Sequence, residues 1–199
     1  MVDRIQAKQS AKRQLKGRWG EAIGAFVLIS LVLIAVNFVA ELPYIGWIIS
    51  FALGGVWPLG MAAYALKFSN GELVGIEDIF SGFNNWLTSF CLYFLMGLFT
   101  VLWCFLLIIP GIIKAISYSM SYYIVAENPE MSAIEAINKS KEITNGHKWD
   151  IFVTQLSFIG WGILACLTLG IGYLWLIPYM NITMANVYRQ ISQNKFENK

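Results

Sequence analysis

The sequence predicts an all-α integral membrane protein, a polytopic helical bundle of about six transmembrane helices in three antiparallel pairs, with amphipathic surface helices on one side. Hydrophobic residues make up 57% and charged residues 13% of the 199-residue chain, whereas soluble domains average about 45–50% and about 25%. The 14 Lys and Arg and 12 Asp and Glu residues are too few to cover a soluble globule of this size. High hydrophobicity also excludes intrinsic disorder. We therefore expect a single membrane domain over residues 1–199.

The N-terminal segment, residues 1–20, predicts a basic amphipathic helix at the membrane surface. It carries one acidic residue, Asp3, and six basic residues. The basic residues are Arg4, Lys8, Lys12, Arg13, Lys16 and Arg18. Nucleic acid is an alternative partner for such a cluster, but the apolar run that follows at 22–40 favours anionic lipid. That run is too long for the apolar region of a cleavable signal peptide.

Six apolar stretches are long enough to be considered as spans, because a membrane helix needs about 20 apolar residues. They lie at about 22–40, 44–66, 86–109, 112–126, 150–168 and 171–189. Gly54-Gly55 and Pro58 interrupt the second span. Pro110-Gly111 is predicted to form the turn between the third and fourth spans, and Gly170-Ile171-Gly172 the turn between the fifth and sixth. The fourth span is short and contains Lys114.

The positions of the basic residues predict the orientation of the chain. In the six-span arrangement, 13 of the 14 Lys and Arg residues lie on one side, and the remaining one is Lys114. The connections on the opposite side, near 41–43, 110–111 and 169–170, contain none. Cytoplasmic loops carry an excess of Lys and Arg. We therefore predict a multi-pass protein of the cytoplasmic membrane with both termini in the cytoplasm.

An internal repeat predicts two further surface helices, at about 72–83 and 132–145. Residues 70–79 and 128–137 are identical at five of ten positions, at a constant offset of 58. In the second copy, Ser132 and Glu135 have the spacing of a capping box. A glycine lets each surface helix end, so that the chain can turn into the bilayer. Each surface segment, including the N-terminal one, is followed by a glycine and then a tryptophan. These pairs are Gly17 with Trp19, Gly82 with Trp86, and Gly146 with Trp149. Tryptophan is enriched at the headgroup level of membranes, so each pair predicts the cytoplasmic start of a span.

Several segments resemble a known membrane protein family. Residues 122–141 carry the most specific motif, and similar motifs follow at 146–152, 156–161 and 170–179, with a further match at 11–19. This pattern is similar to a bacterial family catalogued as domain of unknown function 975. The resemblance implies a multi-span cytoplasmic-membrane protein, mostly of Gram-positive bacteria, and implies no activity. A more distant likeness is to the membrane half of some glycerophosphodiester phosphodiesterases, whose catalytic part is absent here.

Four polar residues within the predicted spans are candidate functional positions: Lys114, Asn37, Asn181 and Asn186. A charge inside a membrane is costly and suggests a functional site. Lys114, however, lies three residues after the predicted turn, about 4.5 Å of helix rise, so its ammonium group is predicted to extend to the interface. The alternative is a lysine that faces a polar cavity. The asparagines are predicted to form hydrogen bonds between helices.

A second set of candidates is predicted to contact lipid headgroups. It comprises Lys8, Lys12, Arg13, Lys16, Arg18, Trp19, Trp86, His147, Lys148 and Trp149. His147 is the sole histidine and could alternatively act as a pH switch. Cys91, Cys104 and Cys166 lie in apolar runs and are predicted to be packing residues. The sequence contains no nucleotide-binding, zinc-protease or paired-cysteine motif, so we expect no cofactor and no metal.

Three classes of function fit these features. The first is a non-enzymatic membrane protein that acts through anionic lipids of the inner leaflet, partner membrane proteins or further copies of itself, for example in envelope stress or transport assembly. The second is a small transporter or channel whose path runs near the polar residues of the fourth and sixth spans. The third, an intramembrane enzyme, is disfavoured because no paired carboxylates lie within the spans. We favour the first class.

Overall fold

The computed structural model describes residues 2–40 and 45–196, which form twelve α-helices, one 3₁₀ turn and no strand. The helices are α1 (Arg4–Leu15), α2 (Trp19–Ala40), α3 (Ile45–Leu53), α4 (Val56–Ser69), α5 (Ile76–Phe80), α6 (Trp86–Leu106), α7 (Ile108–Tyr118), α8 (Ser121–Glu127), α9 (Ala133–Thr144), α10 (Lys148–Leu156), α11 (Ile159–Leu167) and α12 (Tyr173–Phe196). The 3₁₀ turn is Ser81–Phe83. The predicted all-α class is confirmed.

Four helical segments of the described chain are long and apolar enough to cross a membrane. They are Ile48–Ser69, Trp86–Phe105, Ile108–Glu127 and Lys148–Leu167. A fifth candidate arises if α1 and the first part of α2, which meet at 94°, are counted as one bent span. α6 exposes large apolar side chains along most of its length, such as Leu87, Leu98 and Phe105. Such an apolar surface is suited to lipid and unsuited to water.

The last helix, α12, corresponds to the sixth predicted span. Its hydropathy, however, does not place it among the segments that are apolar enough to cross a membrane. It nevertheless has many helix neighbours in the described bundle. It packs against α1, α2, α4, α9 and α11. Its side chains also enter all three buried apolar clusters, through Leu176, Ile182 and Tyr188. Protein therefore surrounds α12 on several sides.

The turn between the third and fourth predicted spans lies elsewhere than expected. The two helices are separated at Leu107, whose backbone is extended. The turn predicted at Pro110-Gly111 is therefore wrong. Pro110 occupies the first turn of α7, where a proline costs no hydrogen bond. At Gly111 a Cβ atom would collide with Cys104, so this glycine lets α6 and α7 approach closely. α7 and α8 together replace the short span predicted at 112–126.

The surface helices begin at residues that cap their first turn. The Asp3 side chain accepts a hydrogen bond from the backbone N–H of Gln6 at the start of α1, and Ser132 and Glu135 form a capping box at the start of α9. Gly17 and Gly146 follow α1 and α9, each with a φ of 85°, a conformation that favours glycine. The second surface segment, predicted at 72–83, is shorter in the structure: it consists of α5 and the 3₁₀ turn and begins at Ile76.

Candidate functional site

The polar segments of the described chain meet at one end of the bundle, which we call the polar end. The N-terminal segment reaches the start of α10, because the Val2 N–H donates to an Asp150 carboxylate oxygen at 3.4 Å and Arg4 Nε lies 3.7 Å from the other. It also reaches the end of α12, because the Asp3 N–H donates to Gln190 at 3.0 Å. Arg18 donates to the carbonyl of Glu72 at 3.1 Å. Four distant parts of the sequence therefore lie together.

Two further contacts add α4 and α8 to the polar end. Arg189, near the end of α12, donates to the carbonyl of Ser69 at the end of α4, at 2.8 Å. Tyr188 donates to Glu127 at the end of α8, at 2.6 Å, and stacks on Tyr123 with 5.6 Å between ring centroids. The ends of α1, α4, α8 and α12 and the start of α10 thus form one polar surface.

The helix α1 is held to the bundle by one apolar face. Ala7, Ala11 and Leu15, spaced four residues apart, are fully buried and the helix packs against α12. The sequence predicts that α1 meets the anionic leaflet through its basic residues. The structure buries the apolar face in protein and leaves Lys12, Arg13 and Lys16 exposed. The arrangement is that of an amphipathic helix with its apolar stripe facing the core.

A buried amide pair joins α1 to α12. The Asn186 side chain donates to Gln14 Oε1 at 2.8 Å and to the carbonyl of Ile182 at 3.0 Å. Gln14 Nε2 lies 3.3 Å from Asn186 Oδ1 and donates to the carbonyl of Ser69 at 2.7 Å. Because Asn186 is buried, these bonds satisfy amide groups that would otherwise be unpaired. Asn186 therefore joins helices, as its position within a span predicted.

Between α1, α11 and α12 lies a cleft of about 560 Å³, which we call the tryptophan cleft. Trp161 and Leu164 of α11 and Trp175 of α12 form its apolar wall, and Trp19 also contributes. The side chains of Lys8 and Lys12 belong to its rim on α1. Ligand pockets in proteins typically measure about 300–1,000 Å³. The cleft thus combines a pocket of ordinary size, an aromatic wall and two amines.

The positive charge of this rim has no acidic partner within the described residues. Lys8 donates to the hydroxyl of Ser157, and its Nζ lies 4.8 Å from the ring centroid of Phe158. Partial burial and the nearby charges of Lys12 and Arg4 lower the pKa of Lys8 below its ordinary value. The ion pairs of the region belong to other residues, such as Arg4 with Asp150. An anion at the rim would relieve this repulsion.

The other predicted headgroup contacts have different surroundings. Arg18 forms an ion pair with Glu21 at 2.7 Å and lies 4.3 Å from the ring centroid of Phe68, so it is engaged by protein. Arg13 and Lys16 are exposed. Trp86 and Trp149 are 43% and 71% exposed, and Lys148 is half-buried. Exposure leaves these residues accessible to lipid.

His147 lies beside the start of α10 and faces a carboxylate. Its Nδ1 is 3.9 Å from Asp150 Oδ2, and within the described residues this buried nitrogen makes no hydrogen bond. Asp150 also receives the Val2 N–H and Arg4. The geometry therefore places His147 in a junction between α1 and α10, and a headgroup contact for it stays a prediction.

Lys114 contacts an aromatic ring. Its Nζ lies 4.4 Å from the ring centroid of Trp103 on the neighbouring helix α6. Because the turn is at Leu107, Lys114 lies seven residues beyond it, about 10 Å of helix rise. The side chain is half-buried, as is that of Asn181. The Asn37 side chain lies outside the part of the chain that the structure describes.

The hydroxyl groups of the fourth and sixth predicted spans are used mainly within their own helices. Ser117 donates to the carbonyl of Ile113 at 2.8 Å, and Thr183 to that of Tyr179 at 2.7 Å. These bonds give the transporter alternative no support. Over residues 2–40 and 45–196, no group of three His, Cys, Asp or Glu side chains could hold a metal ion.

The sequence analysis did not identify the tryptophan cleft or the Gln14–Asn186 pair. The cleft residues come from three separated parts of the chain, so no local motif joins them. One signal was available: the stripe of Ala7, Ala11 and Leu15 assigns one face of α1 to packing, which leaves Lys8 and Lys12 on another face.

Comparison with known proteins gives one family. The model for a family described as "Protein of unknown function (DUF975)" matches residues 1–117 and, in a second match, residues 105–195. No curated protein matches the chain, and no solved structure matches it. The predicted likeness to glycerophosphodiester phosphodiesterases is therefore not supported by any match.

Proposed function

Because the chain belongs to the family of proteins of unknown function DUF975, we propose its role from its own geometry: a non-enzymatic membrane protein whose polar end binds the anionic inner leaflet of the cytoplasmic membrane. The observation that carries this proposal is the basic surface of α1. Lys8, Lys12, Arg13 and Lys16 have no acidic partner among the described residues. Each basic residue near an anionic membrane surface contributes about 1 kcal/mol to binding.

The contacts at the polar end support six crossings with both termini on the cytoplasmic side. The N-terminal segment, the end of α4, the end of α8, the start of α10 and the end of α12 are joined there by hydrogen bonds. Segments that share one end of a bundle are separated by an even number of crossings. Three antiparallel pairs, α2 with α3–α4, α6 with α7–α8, and α10–α11 with α12, fit this requirement.

The proposal treats lipid as the direct partner and a protein partner as secondary. The polar end brings Asp150, His147 and Arg4 together, but the Asp150 carboxylate is already engaged by Arg4 and by the Val2 N–H. An intramembrane enzyme needs a reactive group beside a substrate site. The groups that remain without an acidic partner are amines and a guanidinium, which bind phosphate.

The test compares the thermal stability of the full-length protein in detergent with added phosphatidylglycerol or phosphatidylcholine. A ligand that binds the folded state raises its stability, so we expect phosphatidylglycerol to raise the melting temperature more than phosphatidylcholine at low salt. The difference should shrink at 0.5 M salt, where exposed charges are screened within a few ångströms. Equal stabilisation by both lipids at low salt would contradict the proposal.

A further inference from the structure

We infer that the tryptophan cleft binds one anionic phospholipid, with its phosphate at Lys8 and Lys12 and one acyl chain along the aromatic wall. This inference rests on the proposed function, since both require anionic lipid at the polar end. It adds a defined site and a stoichiometry of one. The proposed function alone requires only a diffuse attraction between a basic surface and a charged leaflet.

The wall of the cleft is suited to an acyl chain. Trp161, Leu164 and Trp175 are 59%, 53% and 48% exposed. Three large apolar side chains that face one cleft to this extent have no protein partner to cover them in the described chain. Pockets that bind small molecules are lined mainly by apolar and aromatic side chains, with a few polar groups that fix the orientation. A saturated chain would bury this wall without requiring any hydrogen bond.

The rim of the cleft is suited to a phosphate. Lys8 and Lys12 lie four residues apart, on one face of α1, and both contribute to the same cleft. Lys8 is held in place by Ser157 and by the ring of Phe158, neither of which carries a charge. Burial and the charges of Lys12 and Arg4 lower the pKa of Lys8, so a bound anion would offset the repulsion between these cations.

The aromatic wall and the lysine rim together determine which class of ligand fits the cleft. A free phosphate would neutralise the amines but leave the aromatic wall exposed. A zwitterionic lipid would cover the wall but bring a cation close to Lys8 and Lys12, which like-charge repulsion disfavours. An anionic phospholipid complements both halves. The cleft is accordingly predicted to prefer phosphatidylglycerol, which we choose as the probe.

The experiment is native mass spectrometry of the full-length protein, released from detergent that contains equal amounts of phosphatidylglycerol and phosphatidylcholine. We expect one phosphatidylglycerol to remain bound to the wild type. The charge test replaces Lys8 and Lys12 with Gln and should weaken retention about 25-fold, which is about fivefold for each basic residue. The control replaces Lys139 and Lys141 with Gln. These residues lie on α9 and do not line the cleft, so retention should stay within about twofold.

A second pair of variants tests the apolar half. Leu164→Trp adds bulk inside the cleft and should lower retention at least tenfold. Leu167→Trp is its control, because Leu167 lies on the same helix, is 76% exposed and does not line the cleft. Circular dichroism of each variant should match the wild type. Inorganic phosphate at 10 mM should not displace the lipid, and displacement would overturn the role of the acyl chain.

The outcomes separate this inference from the proposed function. If the two charge pairs lower retention equally, the defined site is refuted and a diffuse basic surface remains. If Leu164→Trp retains phosphatidylglycerol like Leu167→Trp, the acyl-chain half is refuted. If the wild type retains both lipids equally, the anion-selective site is refuted, and the proposed function is judged separately by the difference in melting temperature between the two lipids.

Discussion

The amide pair between Gln14 and Asn186 makes a strong prediction about how α1 is held. Asn186→Leu keeps a similar side-chain volume but removes both hydrogen bonds between the two side chains, at 2.8 and 3.3 Å. Each such bond contributes about 0.5–1.5 kcal/mol, and an unpaired buried acceptor costs about 1–3 kcal/mol. Gln14 Oε1 loses its partner, whereas Gln14 Nε2 still donates to the carbonyl of Ser69. We expect a total loss of about 2–4 kcal/mol.

The measurement is the melting temperature of the full-length protein in one detergent and at one protein concentration. For a chain of 150–250 residues, 1 kcal/mol corresponds to about 2–4 °C, so Asn186→Leu should melt about 4–16 °C lower. Asn181→Leu is the matched control on the same helix. Asn181 is half-buried and outside the pair, so its replacement should change the melting temperature far less.

A double-mutant cycle tests the reasoning directly. Replacing both amides with Leu removes donor and acceptor together, which is close to neutral when the shapes are similar. The carbonyl of Ser69 keeps its bond from Arg189 at 2.8 Å. Gln14→Leu with Asn186→Leu should therefore recover most of the stability lost by Asn186→Leu alone. Strictly additive losses would refute the account of a buried, mutually satisfied pair.

We also expect the Gln14–Asn186 pair to limit how readily a protease reaches α1. If Asn186→Leu loosens α1, trypsin should cleave after Arg13 and Lys16 faster than in the wild type, because both are exposed and flank the anchoring residues. Local opening of a helix raises its proteolysis without global unfolding. An unchanged cleavage rate, together with a lowered melting temperature, would assign the amide pair to global stability and not to the docking of α1.

Two further predictions concern the membrane-spanning part. The Nζ of Lys114 lies 4.4 Å from the Trp103 ring centroid. The losses of stability caused by Lys114→Leu and Trp103→Leu should therefore be non-additive by about 0.5–1 kcal/mol in melting experiments, and Lys114→Arg should be tolerated. Additive losses would contradict this contact. In a chain whose native cysteines are replaced by Ala, we expect Glu130→Cys and Gln193→Cys to be labelled by a membrane-impermeant maleimide only from the cytoplasmic side, and Leu169→Cys only from outside. Labelling of Gln193→Cys in intact cells would contradict the six-span topology.

The features that the sequence predicted best are those fixed by neighbouring residues. The capping box of Ser132 and Glu135 is readable because both members lie within four residues. Gly17 and Gly146 are readable for the same reason, since a glycine after a polar helix marks a left-handed stop. Such signals depend on local backbone geometry and need no knowledge of the tertiary structure.

The turn at Leu107 shows where local composition fails. Proline and glycine together are typical of a turn, yet Pro110 is also acceptable in the first turn of a helix. Gly111 is needed for another reason, because α6 passes so close that a Cβ atom would collide with Cys104. Two structural roles give the same pair of residues, and the sequence alone cannot separate them. Because the turn is at Leu107, Lys114 lies about 10 Å from it along the helix instead of the predicted distance of about 4.5 Å.

The tryptophan cleft could not be predicted, because it depends on how α1 packs. Its lining comes from α1, α11 and α12, and the register of α1 on α12 is set by the buried stripe of Ala7, Ala11 and Leu15 together with Gln14. The stripe is visible in the sequence, but its partner is not. An apolar stripe of this kind fits lipid as well as protein, so the sequence alone does not identify what covers this face.

The character of α12 explains why hydropathy and charge placement give different numbers of spans. Hydropathy averages a segment as if lipid surrounded it, whereas α12 packs against five other helices. Thr183 and Asn186 are buried there with hydrogen-bond partners, so they do not pay the cost of an unpaired polar group in lipid. Charge placement counts the Lys and Arg residues in the connections between helices. Its result does not depend on whether lipid or protein surrounds a helix. In the proposed six-span topology, α12 is therefore a protein-shielded crossing that charge placement can detect and hydropathy cannot.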